Sequence, residues 1–288
     1  IVGPTEIAPV ATFAPRQKAS FRLDANGSIT GPVTGKLFTI RWSGPNSVLT
    51  FSQPGSTVKY RYGQIQMKVV KGAIEVTNTL SVHDEYLWGI SEMSSAWPAA
   101  ALEAQAIASR SYVLSKLGVP RVACDCNVYN SISDQSFVGF SKEIEPIYGK
   151  LWKEAVQASS TSETTGQVIT INGSPITAYF SSSSGGQTET SVNAWGQERS
   201  FTTSVADPYS QDPILNPRFF TWSRPLTQAV LARTFSLADV VALNIDSRNP
   251  TGTVARISAT SSDGKITTLR GETFRSRTQL PSAWFNLI

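Results

Sequence analysis

The chain contains no apolar run approaching the roughly 18 to 20 residues that cross a membrane as a helix, so no membrane-spanning segment is expected. Cysteine is scarce. Cys124 and Cys126 are the only two, separated by Asp125 alone, and a disulfide between them would close a very tight ring. Two thiols also fall short of the three or four ligands that a zinc site takes, and the single histidine, His83, is far off in sequence. Neither a metal nor a cofactor is expected, and His83 reads as a polar residue at the end of a strand. Charge is thin as well, at 16% of residues with a net +4, and the Lys and Arg residues are scattered and not stacked in a run. A nucleic-acid partner is therefore not expected, while the mild positive balance suits anionic polymers that need no groove-reading motif. A serine hydrolase built on Ser182 to Ser184 with His83 would lack a Gly-x-Ser-x-Gly elbow and a defined acid partner. No internal repeat of fixed period is present.

What is there describes an ordinary globular protein: 288 residues, 40% of them hydrophobic, enough for one large or two smaller domains. The chain starts at Ile1 and not at Met, so a signal peptide or anchor is expected to have preceded it. Residues 1–20 carry Pro4, Pro9 and Pro15 without an apolar period and read as an extended arm. From Ser20 to Leu80 short β-type runs alternate with turn signals such as Asn26-Gly27 and Lys71-Gly72, which predicts meandering antiparallel sheets.

The stretch from Tyr86 to Leu117 is of another kind. Pro98 suits a helix start and Gly118 with Pro120 a stop, which predicts a helix over Pro98 to Leu117. Leu102, Ala106, Ile107, Val113, Leu114 and Leu117 fall in one stripe, and Ala104, Ala108, Ser111 and Ser115 line the opposite side. A helix so poor in charge should be buried nearly all round. Glu103 and Arg110 nevertheless lie within the apolar stripe, so both should be paired inside the fold or point into a groove. Just upstream, Glu92 sits among Tyr86, Trp88 and Trp97. Partial desolvation there would raise its pKa, as a general acid near neutral pH requires; alternatively it only approaches the positive end of the helix dipole.

Beyond the helix, a second helix is predicted over Pro146 to Ala158, with strands at Gln167 to Ile171 and Pro175 to Phe180 joined by an Asn172-Gly173 turn. The run from Ala178 to Glu189 has the composition of a flexible linker, yet it leaves a β-type strand and soon reaches Trp195-Gly196, which favours a packed loop. Further on, Thr227 to Phe235 reads as a helix, Asp239 to Ile245 and Val254 to Thr260 as strands, Asp263-Gly264 as a hairpin turn, Lys265 to Leu269 as its return, and Gly271 to Arg277 as a final helical turn.

The order Tyr86-Leu87-x-Gly89, Glu92-Met93, Trp97-Pro98, Ala101-Leu102-x-Ala104-Gln105-Ala106, followed by Arg110 and Tyr112, resembles the signature of the stage II sporulation protein D and amidase-enhancer family of bacterial peptidoglycan proteins. Residues 178–189, with an aromatic pair, several Ser, Gly-Gly and Thr-Glu, resemble a second stretch of that family. Where the family commonly carries Lys after Ala-Leu, this chain has Glu103. The resemblance implies an α+β fold, rich in β-structure, in which a buried Ala-rich helix carries the active site. It also implies cleavage of glycan strands by a lytic transglycosylase route with Glu92 as the catalytic residue, the alternative being a non-catalytic wall-binding enhancer of an amidase. Arg110 would orient Glu92 or hold substrate. Gln135 would bond a sugar or cap its own loop. Tyr179, Ser183, Ser184 and Thr188 would offer hydroxyls to a saccharide, on which Trp195 would stack. Hydrolysis would need a second carboxylate, for which Glu103, Asp134 and Glu189 are conceivable and none is selected by spacing. The expected organisation is an arm at 1–20, a β-rich region at 21–80, a catalytic core at 81–217 and an α+β part of the same assembly at 218–288. The expected partners are peptidoglycan glycan strands and a wall amidase, and the expected place is outside the cytoplasm.

Overall fold

The computed structural model describes residues 8–288, so the first seven residues of the expected arm lie outside the described residues. The chain divides after Tyr179 into two compact units.

The first unit opens with three short antiparallel groups. Strands β1 (Arg22–Leu23), β2 (Ile29–Thr30) and β3 (Thr34–Gly35) pair in order, and β4 (Leu37–Ile40) lies beside a later hairpin. Strands β5 (Leu49–Gln53) and β6 (Ser56–Tyr60) form their own hairpin, while β7 (Gln64–Val70) sits between β4 and β8 (Ala73–Thr79). The Lys71-Gly72 turn joins β7 to β8 with positive φ at both residues, as a tight hairpin requires. In β7, Ile65 and Met67 point inward and Gln64, Gln66 and Lys68 alternate with them, so one face of this sheet supplies core.

A π-helical turn, Val82–Tyr86, leads to helix α1 (Ala99–Leu114). The helix begins one residue later than expected, with Pro98 as its N-cap, and ends three residues earlier, leaving Leu117 exposed. The short α2 (Phe140–Glu143) and α3 (Gly149–Ala158) follow. Leu102, Ala106 and Val113 of α1 pack with Trp152, Ala155 and Val156 of α3 over Ile65, Met67, Leu87 and Ile90. Each such large side chain, fully buried, stabilises the fold by about 1.5–3 kcal/mol. The Trp152 indole also donates to the Leu87 carbonyl at 2.8 Å, which pins the segment just before Glu92. The serine side of α1 is packed as well. Ser111 Oγ accepts the Ile169 N–H at 2.8 Å, and Ser115 Oγ lies 3.0 Å from Thr177 Oγ1. The two strands expected at 167–180 shrink to β9 (Thr170–Ile171) and β10 (Ser174–Pro175), whose Asn172-Gly173 turn forms as predicted.

The second unit contains α4 (Ser191–Trp195), a 3-10 turn at Pro208–Gln211, α5 (Gln228–Phe235), the antiparallel sheet β11 (Ala242–Arg248), β12 (Val254–Thr260) and β13 (Ile266–Arg270), and α6 (Gly271–Thr278). Its own core gathers Phe235, Val254, Ile257, Phe274 and Phe285. Thr190 and Thr227 cap α4 and α5 through their hydroxyls. Helices and small antiparallel sheets together make the fold mixed α+β, the class expected from the sequence.

Candidate active site

Glu92 lies in the connection between the π turn and α1, not on the helix itself. Two neighbouring segments pair around it in antiparallel fashion: Val138 N–H donates to the Gly89 carbonyl at 2.8 Å, and Ser91 N–H to the Ser136 carbonyl at 2.8 Å. Gly89 permits this approach, because a Cβ there would stand 2.3 Å from the Phe137 ring. The Ser136 N–H then turns to Glu92, donating to Oε1 at 2.5 Å. The carboxyl is half-buried. Desolvation pushes its pKa above the ordinary glutamate value, against the opposing pull of the Ser136 hydrogen bond.

It opens on a cleft of about 540 Å³ lined by Ser91, Glu92, Met93 and Ser94 on one side and Lys142, Glu145, Pro146 and Tyr148 on the other. The second wall was not legible in the sequence. Lys142 and Glu145 belong to a run, Ser141-Lys142-Glu143-Ile144-Glu145, whose composition is that of an ordinary charged surface, but Lys142 is only 2% exposed. Its Nζ donates to the Met93 carbonyl at 3.0 Å and to Glu145 Oε1 at 3.2 Å. Ser95 Oγ donates to Glu145 Oε2 at 2.7 Å.

The aromatic residues expected around Glu92 are distributed differently. The Trp88 ring meets Tyr62 at 5.4 Å and carries the Lys153 ammonium 3.8 Å from its centroid, and Trp97 is 49% exposed. Tyr86 stays close enough to feel the Glu92 charge; burial pushes its phenol up first, with Asp134, Tyr112 and Glu92 adding to the effect.

Arg110 does not reach Glu92. Fully enclosed, its Nη1 donates to the carbonyls of Ser159 (3.2 Å) and Gln167 (2.9 Å), and its Nη2 to Val156 O (3.4 Å) and Ser159 Oγ (3.1 Å). These groups include carbonyls at the C-terminus of α3 that have no backbone donor within the helix, where a cation is favoured. Gly166 leaves room for the guanidinium, since a Cβ there would come within 2.6 Å of its Cζ. Burial lowers the Arg110 pKa, consistent with a partner set that is all neutral. Glu103, by contrast, is half-buried and makes no hydrogen bond or ion pair among the described residues, so only one of the two stripe charges is held inside the fold.

Gln135 is 0% exposed, its Oε1 accepting the Tyr86 hydroxyl at 2.8 Å, so it braces the Tyr86 segment and presents nothing to a sugar at the surface. Asp134 is saturated by Arg121 at 2.6 and 2.7 Å, the Tyr112 hydroxyl at 2.8 Å and the Tyr129 N–H at 2.8 Å. Burial would raise its pKa, but these donors outweigh burial and lower it. Tyr179 is the last residue of the first unit and is partly exposed. Cys124 and Cys126 form a disulfide despite the short span between them.

The remaining candidates belong to the second unit. Ser183 Oγ accepts from Asn216 at 3.1 Å, Ser184 donates to Asp207 at 2.8 Å, and Thr188 Oγ1 accepts the Val205 N–H at 2.9 Å. Their hydroxyls are thus engaged within a packed loop, as expected over a free linker. Trp195, at the end of α4, is 55% exposed. Glu189 accepts from Thr251 and Thr253 at 2.5 Å each and from Asn193 at 2.9 Å, which makes it an anchor of the loop and not a free base.

Residues 70–171 match the family described as Stage II sporulation protein, SpoIID. Over this segment the chain is similar to the SpoIID family. Glu92, Arg110, Gln135 and the whole Lys142–Tyr148 wall lie inside the SpoIID match, whereas Ser183, Ser184, Thr188 and Trp195 lie beyond it. The chain is 31% identical over 122 residues to the amidase enhancer of Bacillus subtilis (strain 168), an alignment covering 42% of this chain and 14% of that relative. It is 24% identical over 218 residues to stage II sporulation protein D of the same organism, covering 70% of this chain and 59% of that protein. The chain therefore spans a minor part of the first curated relative and under two thirds of the second.

Proposed function

We propose that this chain cleaves the glycan strands of peptidoglycan by a lytic transglycosylase mechanism, with Glu92 as the single acid and base. The observation that carries the reading is a half-buried carboxyl whose pKa is raised, oriented by a backbone N–H and opening on a polar cleft within the SpoIID match. Protonated Glu92 donates to the oxygen that links N-acetylmuramic acid to N-acetylglucosamine, and that C–O bond breaks as an oxocarbenium-like state develops. The carboxylate so formed then takes the proton of the sugar's own hydroxyl while its oxygen bonds to the anomeric carbon. No water is consumed, and the product is an anhydromuramic end. Of the carboxylates conceivable as seconds, Asp134 and Glu189 are tied up by other donors, Glu103 does not line the cleft, and Glu145, which does, is held by Lys142 and Ser95, which supports a one-carboxyl route.

This reading puts the protein's work outside the cytoplasm, at the cell wall, and the Cys124–Cys126 disulfide supports an oxidising compartment. The test is mass spectrometry of wall glycan, with and without stem peptides, after incubation with the purified protein. Release of anhydromuramic ends is expected. Reducing ends alone would overturn the mechanism. The likeness to an amidase enhancer supports a second reading, in which the cleft binds glycan for a partner amidase without cutting it; glycan binding with no release from any preparation would establish that one.

A further inference from the structure

An ion pair kept for stability alone is cheaply made on a surface, as Lys150 and Glu154 of α3 illustrate at 82% and 52% exposure. Lys142 is different. Enclosing an ammonium is costly unless it is paired and hydrogen-bonded, and the fold uses this one to join two points of a single turn. Lys142 Nζ holds the carbonyl of Met93, the residue directly after Glu92, and also Glu145, whose second oxygen takes the hydroxyl of Ser95, itself 1% exposed. From the other side, Ile90 bridges Phe137, Ser91 bonds Ser136, and Ser136 bonds the Glu92 carboxyl. The turn is thus fixed before Glu92 by the 136–138 segment and after it by Lys142 and Glu145. Glu92 is the residue between the two anchors.

We propose that Lys142 and Glu145, joined through Ser95, are positioning residues that hold the Glu92 turn so that its carboxyl keeps one orientation in the cleft. The assignment rests on the reading of Glu92 as the acid, because a turn with no proton to deliver would have no need of two anchors. The clamp acts through geometry: a carboxyl displaced by about 1 Å loses on the order of 100-fold in rate. A displaced carboxyl also meets more water. The titratable and charged groups facing Glu92 are Lys142, Glu145 and Tyr148 across the cleft and Tyr86 behind it.

The experiment is a carbon-detected NMR titration of the glutamate carboxyls, with the Glu92 resonance assigned by its absence in Glu92→Gln, run beside glycan turnover for wild type, Lys142→Met and Ser95→Ala. Lys142→Met keeps the length of the side chain without its charge. It should move the Glu92 midpoint away from its wild-type value and lower kcat about 10- to 100-fold with KM nearly unchanged. Ser95→Ala should do the same to a smaller extent. A folded Lys142→Met with the wild-type midpoint and kcat overturns the proposal. Should that variant fail to fold, Ser95→Ala decides it, and an unmoved midpoint there overturns it equally. If wild type releases no glycan, the catalytic reading fails and the midpoints alone tell whether Lys142 and Ser95 hold the turn; if wild type cleaves and neither variant changes midpoint or kcat, the positioning proposal fails and the catalytic reading stands.

Discussion

The N–H of Ser136 reaches the Oε1 of Glu92 at 2.5 Å, although Ser91, by donating to the Ser136 carbonyl, sets up a pair in which that N–H would ordinarily return to Ser91. One rung of a short antiparallel pairing is thereby diverted to a side chain. A backbone donor does not titrate, so it orients the carboxyl in both protonation states, and the raised pKa arises from desolvation acting against it.

Glu92→Gln should abolish glycan cleavage while leaving fold and glycan binding in place. The amide oxygen can still accept from Ser136, but the side chain has no proton to give. Acid catalysis contributes about 100- to 10,000-fold, so a loss of that order in kcat is expected. Activity within a few-fold of wild type would move the chemistry elsewhere.

The same variant has a signature in stability. The folded state raises the Glu92 pKa above its unfolded value, so the protonated carboxyl is the form the fold prefers. That contribution is fully present below the unfolded value and is lost as pH rises through the folded one. Glu92→Gln should therefore melt higher than wild type at mildly alkaline pH and alike in acid. Thermal scans across pH check this; an offset that does not vary with pH would mean the carboxyl is fully solvated.

Glu189 has the opposite sign. Burial would raise its pKa, but hydrogen bonds from Thr251, Thr253, Asn193 and Thr190 outweigh burial and lower it. Its stabilisation is present above the unfolded value and is lost as pH falls through the folded one. Glu189→Gln sets an NH₂ among donors and should lower the melting temperature at neutral pH, with the difference shrinking in acid. Equal melting of the two proteins at neutral pH would contradict the role of Glu189 as an anchor.

Arg110→Ala removes four hydrogen bonds from carbonyl and hydroxyl oxygens around the end of α3 and leaves a void beside Gly166. A loss of about 2–4 kcal/mol is expected from the lost hydrogen bonds and the void together. Denaturant unfolding measures it. If the variant unfolds like wild type but loses glycan affinity, Arg110 would belong to the binding surface after all.

Gly166→Ala offers a check on the same enclosure, because its methyl would fall on the guanidinium and not in open space. Destabilisation comparable with Arg110→Ala is expected, and a neutral outcome would show that the 159–167 loop shifts freely. Denaturant unfolding again reads it.

What the sequence by itself determined is local. Lys71-Gly72, Asn172-Gly173 and Asp263-Gly264 place positive-φ residues in short turns, and β7 alternates side chains with a period of two, so these elements form much as their residues dictate. Thr227 starts its helix for an equally local reason, its hydroxyl accepting the Val230 N–H. Glu92 stands out in the sequence through its signature, whereas the aromatic residues near it in sequence are distributed differently in the fold. The surroundings of the side chains were not legible there. Arg110 finds its partners 46 to 57 residues away, and Gln135 meets Tyr86 across 49. A ligand-binding group and the partner of a backbone carbonyl occupy a buried face alike, and period and composition are the same for both. Lys142 reads as surface from its neighbours and is enclosed only because α2 ends against the Glu92 turn, with Met93 and Glu145 supplying acceptors for its ammonium. Burial of a polar group is settled by whether a distant segment brings it a partner, and that is a property of the assembled chain, not of any stretch within it.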